Sequence, residues 1–115
     1  MYRLSLVRGL VLHFADLAGW DGDKYTVTFS RKVYDRAASR WRAEGIADDD
    51  LGATLRLNQS EPDRWPVTWI DPGIKHFGQL ANTCAHEALH AARPAMPHGP
   101  AFEGAVRRML RGREP

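Results

Sequence analysis

The segment TCAHEALHAARPAMPHGPAF, Thr83 to Phe102, gathers three of the chain's five histidines, His86, His90 and His98, and sets Glu87 directly after the first. Histidines four apart on a helix stand one turn above another on the same face, so His86 and His90 can meet one metal ion. A glutamate at the position of Glu87 then lies beside that ion, where it can serve as a general base. A catalytic zinc takes three protein ligands and keeps a fourth position for water, so the pair needs one more donor. His98 is the natural third, because Pro94 and Pro97 stop the helix and let the chain turn back. Glu103, one turn into the segment that follows, is the rival ligand.

Those side chains need a helix with a clear inside and outside. At about 100° per residue, Ile74, Phe77, Leu80, Ala81, Cys84, Ala85, Ala88 and Leu89 fall within one half of the wheel. His86 and His90 lie near the opposite side, and Glu87 sits at the edge between the two halves. The spacing predicts a long amphipathic helix from about Ile74 to Ala92, with its histidines turned from the core and His76 in its first turn. Cys84 falls on the apolar half, where it reads as a small buried hydrophobe and not as a ligand.

The rest of the chain supplies the support. Leu4, Val7, Leu10, Val11, Phe14 and Leu17 recur at threes and fours, a first helix ended by Gly19. Tyr25, Val27 and Phe29 alternate with Thr26, Thr28 and Ser30, the period of a half-buried strand. RKVYDRAASRWRAEG reads as a second helix, capped by Ser30 and stopped by Gly45. ATLRLNQ and PVTWID, separated by the turn-rich SEPDRW, read as an antiparallel pair. Pro100 opens a last helix whose one face carries Phe102, Ala105, Val106, Met109 and Leu110. The order α-β-α-β-β-α-α predicts a single α+β domain over residues 1–115, with a three-stranded sheet packed on helices.

Composition excludes several classes. Apolar residues at 43% with charged ones at 26% belong to a folded globular chain. No apolar run approaches the roughly 18 residues that would span a bilayer. The lone Cys84 excludes an internal disulfide and suits a reducing compartment, so the cytoplasm is the expected location. Sixteen basic against fourteen acidic residues leave a charge of +2, too small to argue for nucleic acid. The arginines of RRMLRGREP read as a solvated helix end, where cations are favourable.

The motif NTCAHEALH, followed by a proline-containing loop and then HGPAF at the start of a helix, resembles the SprT-like zinc metallopeptidases. Their pattern is a threonine three residues before HExxH and a later histidine in an HGxxF-type segment. The likeness covers Thr83 to about Leu110, while Cys84 and Ala85 stand where members commonly carry bulkier aliphatics. It implies a small zincin-like domain with HExxH on a long helix, Zn2+ bound by His86, His90 and His98, and Glu87 as catalytic base. It also implies a peptide or protein substrate. Hydrolysis at such a site needs a donor for the oxyanion, and Tyr25, Tyr34, His76 and several arginines are candidates. Trp65 and Trp69 are candidates to line its cleft. Two other readings use the same residues: a zinc-stabilised interaction module touching nucleic acid through RRMLRGR, or a zinc hydrolase acting on a non-peptide substrate.

Overall fold

The computed structural model describes residues 1–55 and 64–115. Along the chain run α1 (Leu4–Leu17), β1 (Thr26–Thr28), α2 (Arg31–Arg40), β2 (Gly52–Leu55), β3 (Val67–Ile70), α3 (Phe77–Ala92) and α4 (Pro100–Leu110), the predicted order. The sheet order is β1-β3-β2. Gly52 to Leu55 run antiparallel to Val67 to Ile70, as the two β-prone runs predict. The remainder of ATLRLNQ and most of SEPDRW lie outside the described residues. Thr26 to Thr28 join the other side of β3 in parallel, which a hairpin cannot do, so α2 and β2 intervene along the chain.

Strand alternation divides the interior in two. From β3, Val67 and Trp69 face α2 and pack with Tyr34, Ala38 and Leu55. Ile70 faces the other way, into the larger core that α1 and α3 build from Val7, Val11, Phe14, Leu80, Cys84 and Leu89. Thr68, on that same face of β3, is completely buried. A polar side chain there must find partners inside the protein.

Two boundaries differ from the sequence pattern. α3 starts at Phe77 rather than Ile74 because Asp71, Pro72 and Gly73 close a turn. The Asp71 carboxylate accepts from the Gly73 N–H at 2.8 Å. His76 is therefore the extended residue before α3, not part of its first turn. Phe77, on the apolar half of the wheel, is 52% exposed and meets Tyr2 edge to face. α2 stops at Arg40, and Arg42, with φ 56°, reverses the chain ahead of Gly45. Ser30 caps α2 as expected, accepting from the Val33 N–H at 3.3 Å. Among the described residues no helix is long and apolar enough to cross a membrane.

Candidate metal centre

α3 is fixed to α1 through the alanine-rich side that carries Leu80, Cys84, Ala88 and Leu89, and this directs His86, Glu87 and His90 toward β2 and α4. Small residues on the buried side let the two helices lie close, leaving the long polar side chains on the far side. That far side is partly covered, however. The ring of Phe102, from the first turn of α4, stands 4.8 Å from His86, 4.6 Å from His90 and 5.1 Å from His98. His90 is consequently only 5% exposed, although the helical wheel turns it from the core. His86 is half-buried and His98 exposed.

His98 reaches the pair because of the residue after it. Gly99 has φ 151° and ψ −171°, backbone geometry that side-chain-bearing residues rarely adopt, and Pro100 begins α4 immediately beyond. The chain therefore turns sharply at the dipeptide that separates His98 from its helix.

His90 Nε2 lies 3.1 Å from His86 Nε2 and 2.7 Å from His98 Nε2. The three ligand atoms all fall within 4.8 Å of one another, close enough to bind one metal ion. An imidazole nitrogen has a single in-plane site, either a proton or a lone pair. His90 Nε2 can thus make one linear hydrogen bond but faces two nitrogens. A cation between the rings satisfies every lone pair at once. With zinc–nitrogen bonds of 2.0–2.1 Å a tetrahedral site separates its nitrogens by about 3.3 Å, a little more than the 3.1 Å between His86 and His90, while the 2.7 Å between His90 and His98 must widen to take the ion. The residues present fit such an ion. Glu103 is not part of this cluster: it is exposed on α4 and lines a groove on the far side of His86 and His98.

Glu87 is 6% exposed and is gripped from β2. The Thr54 hydroxyl donates to Glu87 Oε1 at 3.0 Å and leans on the Glu87 carbonyl at 3.2 Å. Gly52, two residues earlier, lets the strand come this near. A Cβ there would stand 2.9 Å from Glu87 Cγ, 3.2 Å from Oε2 and 3.0 Å from Thr83 Cγ2. The Thr83 hydroxyl is turned back along its own helix to the Gln79 carbonyl at 2.8 Å, so only its methyl meets the strand.

A cleft of about 580 Å³ runs between β2 and the histidines, with Tyr34, Gly52, Thr54 and Glu87 among its walls. A second groove of about 380 Å³ continues between α3 and α4 past Asn82 and Arg107. Of the residues considered for an oxyanion, Tyr34 lines the first cleft. His76 stands about 15 Å away along α3. Tyr25 is buried behind Thr68, where loss of hydration, reinforced by the charge of Glu87, holds its phenol above the usual range. Burial likewise pushes the Cys84 thiol up to about 12, in keeping with an apolar role. Trp69 is 1% exposed in the α2 core, and Trp65 borders a separate hollow beside Trp41, so neither lines the histidine cleft. Arg107 and Arg108 occupy the exposed last turn of α4, as a solvated helix end requires.

Gly52, Thr54 and Thr68 escape sequence reasoning. A glycine after an acidic turn and two threonines in alternating strands carry no chemical signature until β2 is laid against α3. No family model matches this chain, and no curated protein or solved structure matches it either.

Proposed function

We propose that the protein is a zinc-dependent metallopeptidase with a zincin-like fold, related in its motif to the SprT-like enzymes. The observation that carries this reading is the buried carboxylate of Glu87, held on the wall of the same cleft into which His86, His90 and His98 converge. A site that only stabilised structure would need no such carboxylate, and structural zinc commonly takes four protein ligands with more cysteine than this chain has.

In this reading the three imidazoles would hold Zn2+, which would supply a Lewis acid and bring the pKa of a water in the cleft towards about 7. Glu87 accepts a proton on the carboxylate oxygen nearer Gly52 and returns it to the leaving nitrogen. The Tyr34 phenol, on the cleft wall, donates to the developing oxyanion. Among the described residues β2 is an edge strand, so its outer side could pair with an extended peptide and lay the scissile bond across the histidines.

The test combines metal analysis of the purified protein with cleavage of a peptide mixture. Wild-type protein is expected to carry one zinc and to cut, Glu87→Gln to carry zinc without cutting, and His98→Ala to lose most of the metal. Equal cleavage by wild type and Glu87→Gln would sink the peptidase reading. Hydrolysis of esters or amidated small molecules, but of no peptide, would replace it with the non-peptide hydrolase.

A further inference from the structure

Behind Glu87 three hydroxyls stand in a row. Tyr25 Oη lies 2.7 Å from Thr68 Oγ1, and Thr68 Oγ1 lies 2.8 Å from Thr54 Oγ1, which in turn reaches Glu87 Oε1 at 3.0 Å. They come from the residue before β1, from the middle of β3 and from β2, so the row crosses the whole sheet. Tyr25 is 7% exposed and Thr68 0%.

Counting protons fixes the direction. Each hydroxyl owns one. The Thr54 proton goes to Glu87, because both atoms it faces there, Oε1 and the main-chain carbonyl, only accept. Thr54 Oγ1 therefore accepts from Thr68, and Thr68, its proton spent, accepts from Tyr25. The phenol ends the row as a donor, and its burial keeps that proton in place. Each link also polarises the next, so the donor presented to Glu87 is stronger than a lone threonine.

We infer that Tyr25, Thr68 and Thr54 form a one-way hydroxyl chain that pins Glu87 Oε1 and so fixes the rotation of the carboxylate in the cleft, making Thr54 a positioning residue. Gly52 supports this from an independent direction, since its missing side chain is what gives Oε2 room. A carboxylate free to rotate would present either oxygen and spend part of its time turned from the reacting atoms, whereas a pinned one is preorganised. The catalytic consequence rests on the peptidase reading above; the chain itself does not.

Two measurements test it. Proton NMR of the metal-free protein is expected to show slowly exchanging hydroxyl protons for both Thr54 and Thr68, and both should persist in Tyr25→Phe. Free exchange at Thr54 in the wild type overturns the inference. So does loss of the Thr68 proton in Tyr25→Phe, because that proton would then have been given to the tyrosine. In the zinc-loaded protein, Thr54→Val is expected to lower kcat about 10- to 100-fold with KM and zinc affinity unchanged, and Thr54→Ser to restore most of it. Wild-type kcat in Thr54→Val, or a loss of zinc affinity as large as the loss of kcat, overturns the positioning role. If the wild type cuts no peptide, it is the preceding reading that falls, and the hydroxyl protons still decide the chain.

Discussion

The ring of Phe102 lies 4.6 Å from that of His90 and is tilted 34° to it, so one aromatic side chain from α4 backs the histidine that is itself most deeply placed. Phe102 is 1% exposed and also touches His86 and His98. Phe102→Ala is expected to cost about 3–5 kcal/mol of stability, as for other buried aromatic truncations. Phe102→Leu should keep the fold while loosening all three imidazoles. Chemical denaturation and metal titration separate the two effects, and an unchanged metal affinity in Phe102→Leu would deny the ring any part in holding the histidines.

The position of His98 depends on Gly99. At φ 151° an alanine is strained by roughly 1–3 kcal/mol. Its Cβ nevertheless meets nothing within 4 Å, so any effect must come from the backbone. Gly99→Ala is expected to reduce metal affinity more than Asn82→Ala does, by moving His98 without touching it. Equal affinities in these two variants would show that the turn has slack.

Gly52→Ala tests the approach of β2 to α3. The added methyl would meet Glu87 Cγ at 2.9 Å and Thr83 Cγ2 at 3.0 Å, so the strand or the carboxylate must shift. A loss of about 1–3 kcal/mol is expected from overpacking. Metal content should be preserved, because none of the three histidines is displaced. Turnover should fall further than stability alone explains.

Tyr25 gives an alkaline signature. Its folded-state pKa lies above the ordinary 10.0, chiefly through burial, with the charge of Glu87 adding to the rise. An acid raised on folding contributes stability that is complete below the unfolded value and is lost as pH rises through the folded one. Wild-type protein should thus weaken progressively above pH 10.0, and Tyr25→Phe should weaken less over the same range. Urea midpoints collected from neutral pH upward check this. Parallel curves would mean that the phenol is hydrated in solution.

Much of this architecture is legible in the sequence because its signals are local. The first helix spans Leu4 to Leu17 as its spacing predicts, and Pro100 opens the last one at the expected place. His86, His90 and His98 could be grouped because a helical turn and a proline loop are short-range geometry. Burial of His90 could not be foreseen, since the wheel describes one helix and Phe102 belongs to another. For the same reason Phe77 looks like core on its own helix but is half exposed, with the ring of Tyr2 edge to face beside it. Thr54 and Thr68 are harder still. Their meaning arises from strand register, where Thr54 stands opposite Thr68, and register is set by tertiary packing.

Two length scales along the polypeptide meet at this site. All three candidate metal donors come from one stretch between His86 and His98, so closing that loop costs little chain entropy. The groups that aim Glu87 are drawn from Tyr25, Thr54 and Thr68, and all three come together only when β3 has paired with both β1 and β2. The two functions should therefore fail separately on partial unfolding. A molecule with a frayed sheet could still sequester an ion while its base swings free, so retained metal is no certificate of competence. If the peptidase proposal holds, a half-folded chain would hold the ion without hydrolysing anything.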